Sequence, residues 1–320
     1  MRYRAPRWLP GGHAQTIVPA LSGWPEKVTW RRVRVATPDG DFIDFDHHDG
    51  RTDAPQLLVF HGLEGSSQAR YALALATHAR RHGWSCTVAH FRGCSGELNR
   101  APRFYHSGDA DEIDWMVSQV HAGTAGNHAP PARLFLTGIS LGGNAMLKWL
   151  AREGEAAGRL IEAAVSVSAP LDLAAGGAAL SRGFNMIYTR MFLKTLKPKC
   201  EAKLQQHPGL FDRAAMLAAR DLYEFDNIVT APLHGFRDTD DYWTRASAGP
   251  HLAAIRVPTL VLNARNDPFM PGHALPTVAS SAVRLDYPAA GGHVGFHAAP
   301  QAGGRDWLPR RVFDWLTTGN

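Results

Sequence analysis

Leu57-Leu58-Val59-Phe60 is apolar at every position and stops at His61-Gly62. A strand with no polar face has to be covered on both sides, as the inner strands of a parallel sheet are. The residues that follow supply the cover. Residues 69–82 have helical spacing, 85–89 read as a strand, 109–120 as a helix, 133–137 as a strand, 141–152 as a helix and 163–167 as a strand. Such alternation predicts an α/β fold, a mostly parallel twisted sheet flanked by helices. Ahead of it, residues 29–45 alternate in polarity around Asp39-Gly40, which predicts a hairpin.

Between residues 172 and 250 the rhythm disappears. This stretch is helix-rich, charged and aromatic, with Phe184, Tyr188, Phe192, Phe211, Tyr223, Phe225 and Phe236, and no Gly/Ser/Pro linker flanks it. We therefore expect residues 1–320 to form one domain, with 172–250 inserted as a helical cap whose aromatics shape a pocket over the sheet. The βα pattern resumes with strands at 259–262 and 283–287 and a terminal helix at 307–316.

Gly138-Ile139-Ser140-Leu141-Gly142 matches G-x-S-x-G. The spacing has a chemical reason. A serine on a sharp strand-to-helix turn needs small neighbours two residues either side so that strand and helix can approach. The turn lifts the hydroxyl off the sheet and aims the helix N-terminus at the oxygen that becomes anionic. Alone the pattern is weak in a chain with 31 glycines, and the serine of such a junction can simply cap a helix. Here a strand precedes it and a helix follows.

A nucleophilic serine in this setting needs a carboxylate and then a histidine later in the chain. Asp267 follows the strand Leu260-Val261-Leu262, at the carboxyl end where sites form in such sheets. His293 lies in Gly291-Gly292-His293-Val294-Gly295-Phe296, after the next strand. Among 16 histidines, His297 is the nearest competitor, and Asp286 is an alternative carboxylate placed within a strand rather than after one. The oxyanion is expected to meet the backbone N–H groups of Leu141 and of Leu63, in His61-Gly62-Leu63-Glu64-Gly65. Cys94, in Phe91-Arg92-Gly93-Cys94-Ser95-Gly96, has no elbow and reads as a turn residue.

Composition narrows the partners. Net charge is +5, and the densest basic groups (Arg31, Arg32 and Arg34; Lys194, Lys197 and Lys199) are short enough to read as solvated faces, so no nucleic acid is expected. No H-E-x-x-H, C-x-x-C or phosphate-binding glycine loop is present, and neither metal nor cofactor is expected. Three cysteines without regular spacing favour free thiols and a reducing, cytoplasmic setting. No apolar run reaches the roughly 18 residues of a spanning helix, so stable membrane insertion is not expected.

Taken together these blocks resemble the YheT-like α/β hydrolases, which comprise bacterial candidate esterases and eukaryotic lipid-acting relatives. The resemblance runs along nearly the whole chain. It includes Gly12-His13-Ala14-Gln15-Thr16, the segments around His61, Cys94 and Ser140, Pro232-Leu233-His234-Gly235-Phe236, Asp241-Tyr242-Trp243, Asn266-Asp267-Pro268-Phe269 and the His293 loop. It implies the α/β-hydrolase fold, Ser140, Asp267 and His293 as the charge-relay set, and carboxylic esters of short- to medium-chain acyl groups as substrates. Acyl transfer to an alcohol by the same residues is the alternative, and a non-catalytic binding protein on this fold is a further one. The chain departs from the lipid-acting relatives in showing no apolar N-terminal anchor, which argues against a membrane-phospholipid role. The resemblance assigns no role to His13, Gln15, His234 or Tyr242, which are expected to be structural.

Overall fold

The computed structural model describes residues 2–22, 24, 26–51, 53–126 and 130–319. Eight strands form one sheet: β1 (Arg31–Ala36), β2 (Phe42–His48), β3 (Gln56–Phe60), β4 (Ser85–Ala89), β5 (Leu134–Ile139), β6 (Ala163–Val167), β7 (Thr259–Leu262) and β8 (Val283–Asp286). Their order is β1-β2-β4-β3-β5-β6-β7-β8. β2 pairs antiparallel with both neighbours, and every pairing from β4 to β8 is parallel.

The apolar run of β3 explains the layering. Leu57 and Val59 point to one side, into a core with Ala72, Leu75, Ala76 and Ala79 of α2 (Arg70–Arg81) and with α11 (Trp307–Thr318). Leu58 and Phe60 point to the other, against α3 (Ala110–His121) and α4 (Leu141–Glu153). These α2 residues recur at the i, i+3, i+4, i+7 spacing of a single face. Asp109 caps α3 by accepting from the Glu112 N–H.

One element escaped the sequence reading: α1 (Gly11–Leu21). Its first residues are Gly11 and Gly12 and it contains Pro19, so neither propensity nor periodicity marks it.

Between β6 and β7 the chain is helical, as expected. It runs through α5 (Leu173–Leu180), α6 (Met186–Gln206), α7 (Arg213–Ala218), α8 (Leu222–Phe225), a π-turn (Asp226–Thr230), α9 (Ala231–Leu233) and α10 (Thr239–Ala246). Asp172, Asp212, Asp221 and Asp238 each accept a backbone N–H three residues on, so four of these helices start on an aspartate cap. The segment has small apolar clusters of its own, such as Leu193, Cys200, Met216, Phe225 and Val229. It is tied down through buried Asn144 of α4, whose Nδ2 donates to Ser107 O and Ala246 O and whose Oδ1 accepts from the Ala248 N–H.

Arg32 and Arg34 of β1 lie on an exposed face and are ion-paired there. The hairpin register sets them opposite Asp46 and Asp44 of β2, and each guanidinium grips its buried carboxylate with two N–H groups. Lys197 donates to the carbonyls of Leu217 and Ala219, and Lys199 pairs with Glu64 at 2.8 Å. Among the described residues no helix is long and apolar enough to cross a membrane.

These buried carboxylates make acid stability predictable. Burial alone would raise the Asp41 carboxyl, but Asn99, the Arg100 and Ala101 N–H groups and Arg92 donate into it and hold it at about 2. At Asp46 burial is likewise outweighed, by Arg32, His90 and Ser67, and its carboxyl sits far below the usual range. A carboxyl depressed in the fold contributes fully above its unfolded value and loses that contribution as pH falls through the folded one. Asp226 has the opposite sign. Burial pushes it up to about 6, so its protonation on moving from neutral to mildly acidic pH favours the fold. Tm is therefore expected to fall steeply only below about pH 4. A melting series from pH 7 to 2 tests this, and a Tm that holds at pH 2 contradicts it.

Candidate active site

Ser140 stands between the last residue of β5 and the first of α4, with φ 51 and ψ −120. A non-glycine residue in this region costs about 1–3 kcal/mol and persists only where its surroundings over-determine it. They do so here. The Ser140 N–H donates to Val167 O at 2.8 Å, and its carbonyl accepts from Asn144 N. The flanking glycines are a packing necessity: a Cβ on Gly142 would lie 2.5 Å from His61 O, and one on Gly138 would lie 2.6 Å from the Gly143 Cα. The sharp corner leaves the serine hydroxyl pointing away from the sheet.

The two later loops converge on that hydroxyl. His293 Nε2 lies 3.0 Å from Ser140 Oγ, and His293 Nδ1 lies 2.9 Å from Asp267 Oδ2. Asp267 is fully buried at its side chain, and its other oxygen accepts the Phe269 N–H at 2.7 Å. A carboxylate only accepts, so Nδ1 carries the imidazole proton and Nε2 offers a lone pair to the serine O–H. The Phe269 ring stacks on the imidazole with centroids 4.0 Å apart and planes within 17°, which restrains its rotation. Phe269 had no assigned role in the sequence, although it ends the segment Asn266-Asp267-Pro268-Phe269.

The alternatives are placed elsewhere. Asp286 pairs with Arg311 at 3.0 Å, and the His297 ring packs edge-on against Trp8. Burial pushes the Cys94 thiol up to about 12, where it is not a nucleophile at neutral pH.

Beside Ser140 the chain after β3 passes so closely that a Cβ on Gly62 would lie 3.2 Å from the Ser140 Cβ. His61 fixes this turn. Burial and the neighbouring His90 lower it to about 3, so it stays neutral, with Nδ1 bonded to Gly62 O and Nε2 accepting the Phe91 N–H. The N–H groups of Gly62 and Glu64 are taken by the Tyr71 and Tyr105 hydroxyls. The Leu63 N–H between them has no acceptor among the described residues, nor has that of Leu141, the first residue of α4. Leu63, Ser140, Leu141 and His293 line one cavity.

That cavity encloses ≈ 1110 Å³ including its open side. Its far wall comes from the segment between β6 and β7, including Leu180, Phe192, Leu196, Leu222, Phe225 and Val229. Of Phe184, Tyr188, Phe192, Phe211, Tyr223, Phe225 and Phe236, Phe192 and Phe225 reach it, while Phe184 and Tyr223 are exposed. His234 and Tyr242 line it too, and the Tyr242 hydroxyl accepts the Ser107 N–H. Among the described residues no group of three or more His, Cys, Asp or Glu is arranged to hold a metal ion.

Residues 55–300 match the family model described as the α/β hydrolase fold. YheT of Escherichia coli (strain K12), named as a candidate esterase, is 40% identical over 315 residues, covering 96% of this chain and 90% of that one. Phospholipase ABHD3 of Mus musculus is 30% identical over 305 residues, covering 90% of this chain and 72% of its own. Among solved structures, the Pyrococcus furiosus esterase Pf2001 superposes with a TM-score of 0.56 at 15% identity, covering 99% of this chain and 97% of that one. At that identity the likeness concerns the fold alone.

Proposed function

The chain belongs to the α/β-hydrolase family, in its YheT-like branch, and on that footing we propose that it is a serine esterase whose nucleophile is Ser140. The observation that carries the proposal is the continuous relay Asp267–His293–Ser140, with bonds of 2.9 and 3.0 Å, ending on a serine held at positive φ. The names of the relatives, an esterase candidate and a phospholipase, agree with ester cleavage.

The chemistry follows from the geometry. His293 Nε2 takes the Ser140 proton as Oγ attacks the ester carbonyl. The Leu63 and Leu141 N–H groups, without acceptors among the described residues, receive the oxyanion, and the N-terminal end of α4 adds its positive dipole. Asp267 stabilises the imidazolium without taking its proton. His293 then returns the proton to the departing alcohol, leaving an acyl-enzyme. A water molecule, deprotonated by the same ring, cleaves it and restores the serine.

Residues 172–250 act in this reading as a cap within a single 1–320 domain, and their apolar wall takes the acyl chain. Leu196 on α6 faces the cavity. Turnover of p-nitrophenyl esters from acetate to palmitate is expected to peak at short to medium chains. Leu196→Trp, by filling the wall, is expected to move the peak to shorter esters while sparing acetate. An unmoved profile contradicts the assignment of this wall to the acyl chain.

A further inference from the structure

The family model begins at residue 55, yet the histidine loop is held by α1, which lies before it. The accounting is nearly complete. In the loop, the Gly291 N–H donates to Gln15 Oε1 at 2.8 Å and the His293 N–H to Thr16 Oγ1 at 2.8 Å. Between them the Gly292 N–H donates to Asn266 Oδ1, and Asn266 Nδ2 in turn donates to Gln15 Oε1. Gln15 thus joins the loop that carries His293 to the loop that carries Asp267. Both α1 side chains are buried and anchored from behind, Gln15 Nε2 to Leu9 O and the Thr16 hydroxyl to Gly12 O.

The contact is also tight through the backbone. A Cβ on Gly295 would lie 1.7 Å from Gln15 O, and one on Gly12 would lie 1.9 Å from Asn266 O. The loop needs such support, because Val294 and Phe296 sit at φ 58 and 37. That conformation is costly for a β-branched or bulky residue, so the loop does not favour this shape by itself.

We propose that Gln15 and Thr16 are positioning residues of the relay: by clamping residues 291–293 to the acid loop they hold the His293 ring in register with both Ser140 and Asp267. The inference rests on the serine-esterase reading and adds an element that precedes the residues matched by the fold model. Neither side chain touches the reacting atoms. Both act through the backbone of the loop that carries the base.

The test is a kinetic split with p-nitrophenyl butyrate on the full-length protein. Thr16→Val keeps the side-chain shape and removes the acceptor, and it is expected to lower kcat about 10- to 100-fold, as a misplaced catalytic group does. KM should stay near the wild-type value, and Thr16→Ser should restore most of kcat. Gln15→Met, which keeps length and loses the carbonyl, is expected to act in the same direction. If it fails to fold, the Val/Ser pair at position 16 decides alone. Wild-type kcat in Thr16→Val, a loss confined to KM, or no recovery in Thr16→Ser overturns the inference while leaving the esterase reading intact. Ser140→Ala run in parallel separates the two: if that protein is as active as wild type, the nucleophile assignment fails and the inference falls with it.

Discussion

A Ser140→Ala protein is expected to fold like wild type and to turn over p-nitrophenyl butyrate about 10⁴- to 10⁶-fold more slowly. The size follows from what is lost. Without Oγ no acyl-enzyme forms, and only the N–H groups of Leu63 and Leu141 and the bound orientation remain to help water attack directly. The fold should not notice. The serine hydroxyl is bonded to His293 Nε2 and to no other group among the described residues. Alanine at φ 51 is no more strained than serine. Matching circular dichroism spectra and melting curves, beside the collapsed kcat, check both halves of this expectation.

Asp267→Asn is expected to cost about 10⁴-fold in kcat, although it changes almost no volume. Its orientation is dictated by Phe269, whose N–H donates to Asp267 Oδ1. In the variant that oxygen position must be kept by the amide carbonyl, so the amide NH₂ faces His293 Nδ1. A donor there forces Nδ1 to accept and moves the ring proton to Nε2, toward the serine hydroxyl. The ring then presents a proton where a lone pair is needed. Asp286→Asn is the matched control. Asp286 bonds Arg311, away from the relay, so its variant should keep wild-type kcat. Equal losses in the two variants would show that the carboxylate of residue 267 has no special place.

What could be read from the sequence was what is local. Each strand-to-helix boundary is a change of apolar period within a dozen residues, so the βα order around β3 to β6 is legible. The elbow is legible for the same reason, because Gly138, Ser140 and Gly142 must lie within five residues to make the corner. Asp267 and His293 could be picked because each follows a strand in a glycine- or turn-rich loop. Long-range contacts that no catalytic motif marks were not legible. Arg32 opposite Asp46 becomes visible only with the hairpin register, which spacing alone does not number. Thr16 meets the His293 N–H across 277 positions, and the two glycines opening α1 hide even the helix that carries it. The cavity wall was legible as helical and apolar. Which side chains face it depends on how the helices of 172–250 rotate, and that is set by tertiary packing.

The most direct measurement on the nucleophile is stoichiometric inactivation with a fluorophosphonate, followed by peptide mass mapping. The expected result is one adduct per chain on the peptide containing Ser140, with esterase activity lost in proportion to its formation. An adduct on another cavity serine, Ser107 or Ser168, that tracks the loss of activity while Ser140 stays unmodified would contradict the assignment.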